Sequence, residues 1–205
     1  MQVRSTVVTL RHLDRPASGD PVGALVFLHG YAGNPMVFVA FLNEIDPERR
    51  FHGYVPQAPH PAEGERTSWF DRGSREPAEE QLAPVAEWLD TLPYPRERTI
   101  LGGWSQGANV AYALALGPNH ARPAGVIALG GGFRDELPPD LDRRLPPIAI
   151  AHGSADDSVS ISVARQARDI LERAGATVLY LETEVGHEID EVVIPDLRAF
   201  LARLP

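Results

Sequence analysis

The chain has no cysteine and no lysine among its 205 residues. Without cysteine there is no disulfide, no thiolate zinc site and no cysteine nucleophile. That fits a reducing compartment, and a cytoplasmic address is the expectation. All 19 basic residues are arginines, set against 28 acidic ones for a net charge of -9. With its arginines scattered, the chain has no basic patch for nucleic acid or an anionic membrane, so neither is expected as a partner. Long apolar runs are missing too. None approaches the roughly 18 residues of a spanning helix, so no integral membrane segment is expected. Residues 1–16 hold no apolar core of signal-peptide length. The seven histidines never fall in H-x-x-x-H or H-E-x-x-H spacing, so no metal is expected. Gly130-Gly131-Gly132 lacks the Lys and Ser/Thr of a phosphate loop, so no cofactor of that kind is implied either.

What is present is an ordinary globular composition, 43% hydrophobic and 23% charged. A chain of this length reads as one domain, residues 1–205. Val3–Leu10 mixes β-branched and polar residues and is expected as an edge strand. Asp14–Pro21 reads as loop. Ala24–Leu28, Ala124–Leu129 and Pro147–Ala151 are continuous apolar runs, the mark of strands buried on both faces. Tyr54–Ala58 and Thr177–Glu182 complete the expected sheet. Between them lie helical patterns: one opened by Asn34 or Pro35, then Glu76–Leu89, Ser160–Ala174 and a C-terminal helix interrupted at Pro195. Pro84 predicts a kink or restart inside the second. Pro59–Arg75 and Arg134–Leu145 are read as loops. This alternation predicts an α/β architecture, a mostly parallel sheet with helices on both faces and its site at the carboxyl ends of the strands.

One stretch organises the rest. Thr99-Ile100-Leu101 leads into Gly103-Trp104-Ser105-Gln106-Gly107 and then into a small-residue helix. In a strand–turn–helix elbow of this kind the serine is held in a strained conformation that lifts its hydroxyl clear of the sheet. A serine is a poor nucleophile until a base accepts its proton. His12, His52 and His120 fall away from the carboxyl ends of the strands. His29, His60, His152 and His187 fall on the right side. His29 and His152 each end a strand before a glycine and read as loop-shaping residues. His187, after the last strand and behind Gly186, is the candidate base. Its orienting carboxylate should follow the strand Pro147–Ala151, where Asp156 and Asp157 both stand, giving the order Ser, Asp, His. Asp190 reads as a first-turn helix carboxylate. The oxyanion needs two N–H donors. The backbone N–H of Gln106 is one, and that of Tyr31, in His29-Gly30-Tyr31, is the other. Trp69 and Phe70, adjacent aromatics in a polar loop, either pin that loop or wall a pocket.

The set Leu28-His29-Gly30-Tyr31-Ala32-Gly33, Pro56-Gln57-Ala58-Pro59, Ser68-Trp69-Phe70-Asp71, Gly103-Trp104-Ser105-Gln106-Gly107, His152-Gly153 with Asp156 and Val159, and Gly186-His187 resembles the phospholipase/carboxylesterase family. That family includes acyl-protein thioesterases and small bacterial carboxylesterases. The resemblance implies an α/β-hydrolase fold with minimal or no cap domain. In the family's pattern the acid falls on Asp156, with Ser105, His187 and the Tyr31 and Gln106 N–H groups in the roles given above. It implies a small-molecule ester or thioester as substrate, with no cofactor. Ser160 stands where a proline is usual. The stretch His60–Thr67 is shorter and more polar than the apolar lid of acyl-protein thioesterases, which points to short or medium acyl chains. Tyr31, Trp69, Phe70, Phe133 and Val159 are the candidate pocket residues. The rival readings are a lactone or amide hydrolase on the same site, or a non-hydrolytic binding protein of the same fold. The oligomeric state is left open between a monomer and a weak homodimer.

Overall fold

The computed structural model describes residues 9–62, 64, 66–71, 74, 76 and 78–204. Its centre is a sheet of seven strands: β1 (His12–Arg15), β2 (Ala24–Leu28), β3 (His52–Pro56), β6 (Thr99–Trp104), β7 (Gly125–Leu129), β8 (Ile148–Gly153) and β9 (Val178–Thr183). They lie in the order β1-β3-β2-β6-β7-β8-β9. Only β1 runs antiparallel to its neighbour; the other pairs are parallel. A two-stranded ladder stands apart, made of β4 (His60–Pro61) and β5 (Thr67–Ser68).

The continuous apolar strands are continuous because both faces are covered. Along β2, Ala24, Val26 and Leu28 pack into one core, and Leu25 and Phe27 into the other. The same alternation divides β7 and β8. The first core is closed by helices α2 (Ala78–Asp90), α3 (Gln106–Leu116) and α4 (Ile161–Arg173). The second is closed by α1 (Pro35–Ile45) and α5 (Ile194–Ala202). Asn34 caps α1, its side chain accepting the Met36 N–H at 2.9 Å. Ser160, in the place of the expected proline, caps α4 by accepting from Ser162 N–H.

Three expectations change. The antiparallel edge strand is His12–Arg15, inside what reads as the approach to a loop. Residues 3–8 of the expected Val3–Leu10 strand lie outside the described residues, and Thr9 and Leu10 are not strand. β1 is anchored by a contact no local pattern announces. Arg15, 4% exposed, bonds the Asp46 carboxylate at 2.6 Å and the carbonyls of Leu42, Asp46 and Phe51 at 2.9–3.0 Å. α2 runs unbroken from Ala78 to Asp90 with Pro84 inside it. The buried ridge Leu82, Val85, Trp88 and Leu89 holds the helix on the sheet against a proline penalty of about 3 kcal/mol. β3 begins two residues earlier than the pattern Tyr54–Ala58 suggests.

Candidate active site

The elbow is built by close approach. A β-carbon on Gly103 would lie 2.2 Å from the Gly107 carbonyl oxygen, and one on Gly107 would lie 2.0 Å from the Leu28 carbonyl oxygen. Only glycine fits either place. The tight turn from β6 into α3 leaves Ser105 with φ 55° and ψ −118°, a left-handed conformation costly for a side chain with a β-carbon. Its N–H donates to the Leu129 carbonyl of β7 at 2.8 Å, which fastens the turn to the sheet.

His187 comes in from the loop after β9. Its Nε2 lies 2.9 Å from Ser105 Oγ and its Nδ1 lies 2.6 Å from Asp156 Oδ2. A carboxylate can only accept, so Nδ1 carries the proton and Nε2 is free to accept from the serine hydroxyl. The Trp104 ring packs against the imidazole at a tilt, the ring centres 4.8 Å apart. The structure thus brings Asp156, rather than Asp157, to His187. Asp157 meets only the Ser158 hydroxyl among the described residues. Asp190 caps the short turn Glu191–Val193 by accepting the Val192 N–H, as its place at a helix start suggested.

Asp156 is 1% exposed at its side chain. Burial pushes its carboxyl up, but hydrogen bonds from Val159 N–H, His187 and Ser158 N–H outweigh that and hold it below the usual carboxylate range. His29 shows the opposite balance. Burial lowers its affinity for a proton more than its bond to the Gly30 carbonyl raises it. As a neutral ring it donates from Nδ1 to that carbonyl at 2.7 Å and accepts the Ala58 N–H at Nε2 at 3.2 Å. It therefore fixes the loop that carries Tyr31. That loop lies directly on Ser105: a β-carbon on Gly30 would stand 3.3 Å from Ser105 Cβ. The Tyr31 N–H has no partner among the described residues. The Gln106 N–H opens α3, where no intrahelical acceptor is available.

The candidate pocket residues separate. Trp69 and Phe70 are 0% and 3% exposed. Trp69 donates its indole N–H to the His29 carbonyl at 2.6 Å, and its backbone N–H goes to Gln106 Oε1 at 3.0 Å. Gln106 Nε2 in turn donates to the Phe70 carbonyl at 3.0 Å. The two aromatics are therefore plugs that pin their loop to the elbow, and neither offers a surface to a ligand here. Tyr31 is exposed. Val159 is half-buried, with its N–H on Asp156. Phe133 packs edge-on against Tyr112 and borders a cavity of about 380 Å³ shared with Val163 and Ile170. A second cavity of about 400 Å³ lies between α2 and the far end of α3, away from Ser105. The side chain of Gln106 is the contributor that motif reading passed over, and His152, read as loop-shaping, holds the Val159 carbonyl beside Asp156.

A serine on such an elbow, at the carboxyl end of a central parallel strand, defines an α/β-hydrolase fold. Solved structures agree over almost the whole chain. Esterase PE8 superposes with a TM-score of 0.80 at 25% identity, covering 97% of this chain and 100% of that one. The Bacillus cereus carboxylesterase does so with a TM-score of 0.80 at 19% identity, covering 95% and 94%. Within that fold, residues 16–204 match the phospholipase/carboxylesterase family, and the chain belongs to it. Acyl-protein thioesterase 1 of Debaryomyces hansenii is 28% identical over 123 residues, 57% of this chain and 53% of that protein. The chain thus spans about half the length of this curated relative. Among the described residues no helix is long and apolar enough to cross a membrane.

Proposed function

We propose that this chain is a single-domain serine esterase that cleaves carboxylic esters, and thioesters of similar size, through an acyl-enzyme. One observation carries the reading: His187 bridges Ser105 Oγ and the ionised Asp156 in one line, on a serine held at positive φ. In this mechanism His187 takes the Ser105 proton as Oγ attacks the acyl carbon. Asp156 holds the imidazole in the needed tautomer and stabilises the imidazolium. The oxyanion is met by the N–H groups of Tyr31 and Gln106, both with hydrogens to give. His187 then protonates the leaving alcohol or thiol, and a water activated by the same base releases the acid. Tyr31, Phe133 and Val159 remain the proposed contacts to substrate. The esterase and thioesterase names among the relatives support this choice of substrate class.

Ser105→Ala is expected to lower kcat by about four or more powers of ten, measured on a short-chain aryl ester. A fluorophosphonate should add once to the wild type, at Ser105, by intact mass. A variant that keeps wild-type turnover would overturn the assignment. A folded wild type with neither adduct nor turnover would favour a non-hydrolytic binding protein.

A further inference from the structure

We propose that His152 is a positioning residue: from the end of β8, its Nε2–H holds the Val159 carbonyl and so fixes the turn whose N–H groups grip the Asp156 carboxylate that aligns His187. His152 is fully buried at its side chain and is not part of the Ser105, Asp156, His187 line. Its Nε2 lies 2.9 Å from the Val159 carbonyl oxygen and 3.2 Å from Asp156 Oδ2. A carbonyl can only accept, so Nε2 carries the proton and donates it to Val159, with Asp156 Oδ2 a close neighbour that takes no hydrogen bond from it. Nδ1 is buried without a partner among the described residues, as suits a bare lone pair better than an N–H. With its one proton facing acceptors, His152 is not placed to act as a base.

The carboxylate sits on a loop, three residues past the end of a rigid strand. Its Oδ1 accepts the N–H groups of Ser158 at 2.9 Å and Val159 at 2.8 Å. Its Oδ2 accepts from His187 and lies 3.2 Å from His152 Nε2. Val159 is thus held twice, through its N–H by Asp156 and through its carbonyl by His152. The turn closes on itself around one strand-borne ring. β8 and the His187 loop are tied in the same region, where Ala155 N–H donates to the Val185 carbonyl at 3.1 Å. His152 is the side chain that fixes the Val159 carbonyl, and with it the N–H groups that set where the carboxylate points. Without its proton the turn loosens, the carboxylate gains freedom to turn, and His187 loses its fixed line to Ser105. Among the described residues, Asp156 is the titratable side chain hydrogen-bonded to His187. His187 and His152 are those paired with Asp156.

The inference rests on the esterase reading for its kinetic consequence but not for its geometry, and the test uses both. His152→Phe keeps the ring and loses the proton. His152→Gln returns an N–H to the Nε2 position. With rates normalised to fluorophosphonate-reactive sites, the Phe variant should lose about ten- to a hundredfold in kcat with KM changed less than about twofold. The acid limb of its kcat/KM profile should move down, because a carboxylate free to turn stabilises the imidazolium less. The Gln variant should recover to within about threefold of wild type. A purely structural role would change the number of active sites and leave the limb in place. The independent readout is the downfield proton resonance of His187 Nδ1–H, expected in wild type and the Gln variant and shifted or broadened in the Phe variant. A folded Phe variant with wild-type kcat and limb, or a Gln variant no better than Phe, overturns the proposal. If the Phe variant does not fold, His152→Asn, too short to reach the Val159 carbonyl, takes its place. If Ser105→Ala stays active the esterase reading falls, and the proton resonance alone decides for or against the positioning role.

Discussion

Gln106 does two jobs at one position. Its backbone N–H faces the proposed oxyanion, and its side chain, 5% exposed, joins Trp69 N–H to the Phe70 carbonyl. Through the Trp69 indole the same network reaches the His29 carbonyl, beside the loop that carries Tyr31. Gln106→Leu keeps the volume and strands two buried backbone groups. It should lose about 2–4 kcal/mol in urea unfolding and lower kcat. A midpoint unchanged from wild type would mean that water can replace the amide. At this scale Ser105 and His187 were legible, the serine from its flanking glycines and the histidine from its place after the last strand. The fate of Trp69 was not. Whether a loop aromatic faces solvent or interior depends on what lies above it, and here that is His29 and Gln106, 40 and 37 residues away.

The elements divide by how local their causes are. β2, β7 and β8 read directly because a strand covered on both faces must be apolar throughout. α1 reads from its Asn34 cap. β1 does not, because His12-Leu13-Asp14-Arg15 has neither an apolar run nor an alternating pattern. It is held by Arg15 reaching Asp46, 31 residues on, with both side chains 4% exposed. Removing one partner of such a pair leaves a buried charge alone. Arg15→Met should therefore cost about 3–5 kcal/mol by denaturant titration. The turnover of the folded fraction should be unchanged, since β1 lies three strands, about 14 Å, from β6. A loss of kcat in fully folded protein would show that the edge strand communicates with the elbow.

For the molecule as a whole, the helices are spent on the sheet. α2, α3 and α4 cover one face and α1 and α5 the other. Among the described residues that leaves the short ladder of β4 and β5 as the structure between β3 and α2. With no helix among the described residues left over as an apolar lid, the proposed esterase is expected to leave a long acyl chain largely in water, where it gains little from burial. Turnover across a series of acyl esters should peak at short or medium chains. A maximum at palmitoyl would refute this and require a channel formed on binding.

The sequence by itself determined the alternation of strands and helices, the elbow and the order Ser, Asp, His. Each of these is written in local chemistry: apolar runs, glycines where backbones touch, caps. It left Asp156 and Asp157 adjacent and equivalent, and only the family resemblance separated them. Tertiary structure decided what depends on direction. It turned Asp156 inward, beneath the Ser158 and Val159 N–H groups, and left Asp157 at the surface. It sent Trp69 into the core and set His152 behind the carboxylate. Side-chain direction is fixed by neighbours far along the chain, and no local pattern records them.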